Sequence, residues 1–245
     1  MPSNDAPEER LQSMKLSMWA RFRATHRQLG FAKTLTYLAD RLLRALNPAY
    51  GLYVYQFVAQ PLAAKPRLSA NRGKAYSFKL LDVANPLLDA LGRPAAVIAQ
   101  RFAQNAHCLA ALKEENLAGC IWFARRQFME DEVRIDYCLP TDGSCVWDFD
   151  VFVSESERVG FLFAKLWDTF DAELKAEGVV WTLSRINGLN QHSLASHRRL
   201  GASDCGWAMI LRVKSFELMV SNLAPYLSLG TRKRCALHIA PRRPS

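Results

Sequence analysis

The sequence predicts a three-layer α+β fold: a mixed, mostly antiparallel sheet flanked by helices and preceded by an N-terminal helical extension. Two observations predict it. From residue 76 onward the apolar periodicity switches between two and about 3.6 residues, in the order β, α, α, β, β, β, α, β, α, β, leaving aside a further strand over 133–139. A run of strands therefore precedes two βα units, which places one parallel pairing near the middle of the sheet. In addition, 245 residues at 50% hydrophobic composition suffice for one sizeable core with an extension.

Each element has its own signal. Residues 11–46 have a helical pattern broken at Gly30, and its second half carries Phe31, Leu35, Leu38, Leu42 and Leu46 at spacings of three and four. Lys33, Asp40, Arg41 and Arg44 fall largely off that stripe, and Asn47-Pro48 ends the helix. The aromatic, β-branched stretch 51–62 reads as a strand. A linker rich in small and basic residues leads to a strand over 76–82. Helices are expected over 85–91 and 94–103, with Pro94 in a first turn. Strands over 107–114 and 117–127 flank a turn at Glu115-Asn116, and a further strand is expected over 133–139. The strand Cys145–Val153 follows the loop Pro140–Ser144. In the helix over 160–177, Phe161, Phe163, Leu166, Trp167, Phe170 and Leu174 are apolar, and Gly178 closes it. A strand over 179–186, a helix over 190–200 and a strand over 207–213 complete the pattern.

Composition narrows the function classes. A charged fraction of 22% with 11% aromatics excludes global disorder. None of the six cysteines forms a CxxC pair and no Cys/His cluster has zinc spacing, so a metal centre is not expected. The polar, acidic start lacks the order of a secretory signal, and reduced thiols in a cytoplasmic protein are expected. No apolar run approaches membrane-spanning length. The formal charge of +9 is uneven. Residues 1–75 hold 12 basic and 4 acidic side chains, 76–211 hold 13 and 18, and 212–245 hold 7 and 1. Basic ends suit an anionic surface, while the acidic middle disfavours nucleic acid as the main partner.

The chemistry concentrates in two stretches. VWDFDVFVSESERVGFLFAKLW is strand, short loop and helix, an arrangement that presents free main-chain N–H groups to an anion, with Arg158 at the rim. NQHSLASHRRLGA follows a strand; Asn190 suits a helix N-cap, Gly201 suits its stop, and Ser193 and His197 share a face. Asp148 and Asp150, two apart on one strand, are expected on the same face with Val146 and Phe152. Trp147, Phe149, Val151 and Val153 make the opposite, core face. Ser184, Arg185, Asn187 and the pair Arg125-Arg126 are lesser candidates, and His192 and His197, five apart, do not suit a metal pair.

Asn190, Ser193, His197, Leu200 and Gly201 resemble the pattern N-x-x-(A/S)-x-x-x-Y-x-x-x-G-(F/A) of the GNAT acyltransferase superfamily. The strand, loop and helix over 145–177 fall where that family carries its acyl-CoA diphosphate loop, and the likeness in element order runs from about 76 to 213. The family's loop reads (Q/R)-x-x-G-x-(G/A), whereas here Arg158 is followed by Val159-Gly160-Phe161-Leu162-Phe163, and His197 stands at the tyrosine position.

The resemblance implies direct acyl transfer, in a ternary complex, from acetyl-CoA or another acyl-CoA to the primary amine of a small molecule. It further implies that Phe152, Val153, Arg158, Val159, Gly160, Phe161, Asn190 and Ser193 hold the co-substrate. His197 would protonate the leaving thiolate, and Asp148 and Asp150 would serve the acceptor amine as base or holder. A GNAT fold that binds without turnover, or an adaptor at a membrane surface, is the alternative.

The division expected is a basic extension and linker over 1–75, an acyltransferase domain over 76–214 and a basic C-terminal tail over 215–245. The N-terminal segment resembles the leader of some bacterial GNAT proteins. Its apolar stripe is expected to pack on the domain, with peripheral contact to an anionic inner-membrane surface as the alternative partner.

Overall fold

The computed structural model describes residues 31–242. The expected helix over 11–29 lies outside them. A 16-residue helix α1 (Phe31–Leu46) enters strand β1 (Gly51–Pro61), and β2 (Ser77–Leu81) follows the linker. A 3-10 turn (Pro86–Leu91) and α2 (Ala95–Ala103) lead to β3 (Ala106–Lys113), β4 (Asn116–Arg125), β5 (Gln127–Met129) and β6 (Ile135–Cys138). Then come β7 (Cys145–Val153), α3 (Leu162–Ala176), β8 (Trp181–Asn187) and α4 (Gln191–Arg199). Strands β9 (Ser203–Val213), β10 (Phe216–Ser221), β11 (Leu227–Gly230) and β12 (Cys235–His238) complete it.

Nine strands form one sheet in the order β11-β10-β9-β1-β8-β7-β4-β3-β2, and β12-β6-β5 form a second, small sheet. The fold is thus the α+β class expected, and β7–β8 is the parallel pair of the large sheet. On one face a core of Tyr55, Phe57, Trp122 and Trp147 packs against Leu88, Ile98 and the small sheet's Tyr137 and Leu237. On the other, Leu162, Leu166, Trp167, Phe170 and Leu174 of α3 meet Ile121, Phe123 and Val146. Each of those α3 side chains contributes about 2 kcal/mol by leaving water. Gly178, at φ +83°, stops the chain just past α3 where a side chain would be strained.

Three expectations change. The turn of the β3–β4 hairpin is Glu114-Glu115, both at positive φ, one residue earlier than read. Strand β1 is not part of a separate extension: it is inserted between β8 and β9, antiparallel to both. The linker behind it is tied to α3, since Asp168 and Asp171 accept hydrogen bonds from the guanidinium of Arg67 at 3.1 and 2.8 Å. Residues 216–238, read as a tail, supply three strands. Their alternation escaped because Glu217 faces inward, where Arg212 donates to it, while apolar neighbours face outward.

Helix α1 also departs from the expected packing. It attaches by polar groups: Asp40 accepts from the Leu52 N–H at 2.9 Å and from Arg44, whose guanidinium lies over the Tyr53 ring. Its stripe points away, with Leu35, Leu38, Leu42 and Leu46 exposed by 42–69%.

Outward-facing residues of β9–β11 stay in register across the strands. Met209 pairs with Val220, and Val220 with Leu227; Leu211 pairs with Leu218, and Leu218 with Leu229. Val54 and Leu52 of β1 continue the two rows.

Candidate functional site

Strand β7 carries the site because it breaks its own register. Trp122 of β4 pairs with Phe149 and Cys120 with Phe152, so Ile121 faces two residues of β7, a β-bulge. Asp150 occupies the bulge at φ +54°, a left-handed conformation that aspartate tolerates better than most residues. Gly119 makes room for it: a Cβ there would stand 2.8 Å from the Phe152 carbonyl oxygen.

The extra residue inverts the alternation of side chains. Trp147 and Phe149 pack in the first core, but Val151 and Val153 cross to the α3 side. Asp148 and Asp150 consequently do not share a face, contrary to the spacing argument. Asp148 is buried and accepts a hydrogen bond from Ser184 Oγ at 2.7 Å. Asp150 receives Arg93 and Arg101, each at 2.6 Å, and the Arg101 guanidinium sits over the rings of Trp122 and Phe149.

The sheet opens just ahead of the bulge. The parallel ladder covers Cys145↔Trp181, Val146↔Thr182 and Trp147↔Leu183 and then ends, although β7 continues to Val153 and β8 to Asn187. The edge of β7 facing β8 has no ladder partner there among the described residues. A cleft of about 410 Å³ occupies the α3–α4 side, lined by Val151, Phe152, Val153, Arg158, Trp167 and His197 among others. A second cavity, of about 340 Å³, lies beside Trp147, Phe149 and Asp150.

The start of α3 borders the first cleft. The helix has no side-chain cap, and the N–H groups of Leu162, Phe163 and Ala164 find no acceptor among the described residues. These amides and the helix dipole form an electropositive end. Leu162 is fully buried in the core, and Phe161 stands half-exposed under the Arg72 guanidinium, so neither fills the cleft. Glu157 does not oppose an anion there: Lys113 Nζ and Tyr76 Oη donate to it at 2.8 and 2.5 Å. Those two bonds, that from Lys113 first, hold its carboxyl below the usual range.

His197 reaches the cleft from α4. Asn190 caps that helix by accepting from the Ser193 N–H at 3.0 Å, as its sequence position suggests. The ring stands edge-on to Trp167 at 6.3 Å between centroids, and Nδ1 lies 3.2 Å from Oε1 of the buried Gln60. With that oxygen as acceptor, Nδ1 carries a hydrogen, and Nε2 has no hydrogen-bond partner among the described residues. Asp148 is near enough to feel the ring's charge; burial pushes its carboxyl up, and His197 and Ser184 oppose that.

Of the residues expected to hold a co-substrate, Phe152, Val153, Arg158 and Ser193 line the cleft. Val159, Gly160 and Phe161 face solvent, and the Asn190 side chain is occupied as a cap. Sequence reasoning missed Phe163, Trp167, His192, Ser196 and Leu200, which also line it. Phe163 and Trp167 look like core on an apolar helix, and only the i to i+4 spacing from His192 to Ser196 hints at a shared face. Gln60 was missed because nothing local ties β1 to α4.

The second cavity is polar and firmly built. Arg185 donates to Glu130 through Nε at 3.1 Å and Nη2 at 2.9 Å, stacks on Tyr55, and reaches Glu132; Tyr137 Oη donates to Glu130 at 2.8 Å. Asp131 and Glu132 remain partly exposed at its mouth. Among the lesser candidates Arg185 lines this second cavity; Ser184 serves Asp148, Asn187 accepts from the Leu189 N–H, and Arg125 pairs with Glu177. All six cysteines are free.

No family model and no curated protein matches the chain. Among solved structures it is similar to a conserved protein of unknown function from Staphylococcus epidermidis ATCC 12228, at 15% identity and TM-score 0.45, over 68% of this chain and 63% of that one. It is similar also to a tandem GNAT protein of the clavulanic acid biosynthesis pathway, at 13% and 0.44, over 66% and 54%. A third likeness, at 11% and 0.37 over 52% and 88%, is to an aminoglycoside acetyltransferase from an uncultured soil metagenomic sample, in complex with trehalose. The chain spans less than two thirds of the length of the first two. At these values the likenesses say nothing of what this chain acts on.

Proposed function

We propose that the chain is an acyl-CoA-dependent N-acyltransferase of GNAT type, acting on the primary amine of a small molecule. One observation carries the reading: the parallel pair β7–β8 parts after three residues, and the opening lies between the uncapped start of α3 and His197. The residues suit the co-substrate. Free amides of α3 and Arg158 match a diphosphate, and the unpaired edge of β7 over 149–153 offers hydrogen bonds to an extended amide-bearing arm.

A CoA thioester supplies an acyl group that a neutral amine attacks directly, the N–C bond forming as the C–S bond breaks. The chain provides a proton site on each side of β7. In the second cavity, Asp131 and Glu132 hold the acceptor's ammonium and take up the proton it must lose. In the first, His197 holds a proton at Nε2 for the departing sulfur, with Gln60 fixing the ring. Asp148 does not meet the acceptor in this reading.

A second reading, binding without turnover, draws on Phe163, whose ring forms part of the cleft wall close to the free amides. Calorimetry with acetyl-CoA and longer acyl-CoAs, followed by a thiol-release assay with a panel of small amines, separates the two. Binding together with thiol release supports the enzyme. Binding with no release for any amine supports the second reading, and no binding of any acyl-CoA by folded protein removes both.

A further inference from the structure

We propose that the outward face of β9, β10 and β11 is a docking surface for an anionic lipid bilayer. The face is independent of the cleft and of the reaction. It is a sheet face with no cover among the described residues: on that side α3 packs on Ile121, Phe123 and Val146, Leu194 of α4 packs on Val58 and Ile186, and the rows beyond stand open. Met209, Val220, Leu227 and Leu229 are exposed by 37–64%, and Leu211 and Leu218 are half-exposed. The register places all six on one face, so they form a continuous apolar area rather than scattered contacts. A sheet with one polar and one apolar side normally buries the apolar side, and a large open patch marks an interaction surface.

Charge selects the occupant. The β9–β10 turn, the end of β11 and the start of β1 lie at one end of the sheet, because Val213 pairs with Phe216, Glu217 with Gly230 and Gly51 with Arg212. That end carries exposed Lys214, Arg232 and Lys233. Helix α1 enters there too, with Arg41 and its open leucine stripe. The acidic groups nearby are already paired: Glu217 faces the other side with Arg212, and Asp40 holds Arg44. An apolar area with exposed cations at this end, whose nearby carboxylates, Asp204 with Arg198 at the far end of β9 included, are already paired, matches the boundary between acyl chains and anionic headgroups. A protein partner would bring carboxylates to such a rim, and a second copy of this chain would set the like-charged rims together.

The test is co-sedimentation of the full chain with vesicles of phosphatidylcholine alone, or with about 30 mol% phosphatidylglycerol, at low and high salt. The inference expects binding to the anionic vesicles at least about tenfold tighter than to neutral ones, weakening with salt. Leu227→Glu with Leu229→Glu, on an exposed edge strand, should weaken it by about tenfold or more while the circular dichroism spectrum and Tm hold. Lys214→Glu with Lys233→Glu should remove the preference for anionic vesicles. Absence of binding by the unaltered chain overturns the inference. A dimer that the leucine variant splits would then give the face to a second copy. Equal binding to neutral and anionic vesicles overturns the assignment of the rim.

Discussion

Replacing Gly119 by alanine should close the cleft without substituting any residue that lines it. Gly119 pairs with Val153, two residues along β4 from Ile121 at the bulge, and its φ is not positive, so alanine meets no conformational penalty there. The obstacle is space: the new Cβ would stand 2.8 Å from the Phe152 carbonyl oxygen and 3.2 Å from Leu162 Cδ2, where ordinary contact begins at 3.4 Å. The first neighbour is main chain and must move by roughly 0.6 Å. Overpacking of this kind costs about 2 kcal/mol, and in a domain of this size that lowers Tm by about 4–8 °C. Displacing β7 by that distance, beside the reacting groups, should also cut kcat/KM at least about tenfold. Gly230→Ala is the control: its Cβ would have its nearest neighbour at 3.5 Å, and the cost should stay within about 0.5 kcal/mol. Thermal melts and the thiol-release assay measure both quantities. If Gly119→Ala and Gly230→Ala melted and turned over alike, the account of the bulge as the source of the opening would be wrong.

Other expectations follow from the same geometry. His197→Phe keeps the ring beside Trp167 but removes the proton, so kcat should fall by about 10²–10⁴ with acyl-CoA binding retained; a kcat within a factor of two would dismiss its role. Gln60→Leu should lower kcat less and shift its pH profile, which a purely structural residue would not do. Burial raises the Asp148 pKa, so this group stabilises the fold below the unfolded value of about 3.9, and that contribution is lost as pH rises through the folded value. Asp148→Asn should therefore gain stability over the native chain as urea melts move from acid to neutral pH. Leu162→Ala, at a fully buried position, should cost about 2–5 kcal/mol by the same melts.

Much of the frame was legible. Cys145–Val153 was read to the residue, the Asn190 cap and the stop at Gly201 were placed, and the parallel pair was expected near the centre. What was not legible is non-local. The series Trp147, Phe149, Val151, Val153 alternates without a break, so nothing along β7 reports that β4 offers it one residue too few. The second cavity escaped for the same reason: Arg93 and Arg101 come from around α2, Glu130–Glu132 from the β5–β6 turn and Arg185 from β8. Gln60 became a neighbour of His197 only because β1 is inserted beside β8.

That insertion has a mechanical consequence. Strands β9, β10 and β11 join the rest of the large sheet through β1 alone, so eleven residues act as the keystone between two otherwise complete halves. Withholding Gly51–Pro61 would leave two facing sheet edges of matched register, and a synthetic peptide of that sequence should enter the gap from outside as a donor strand.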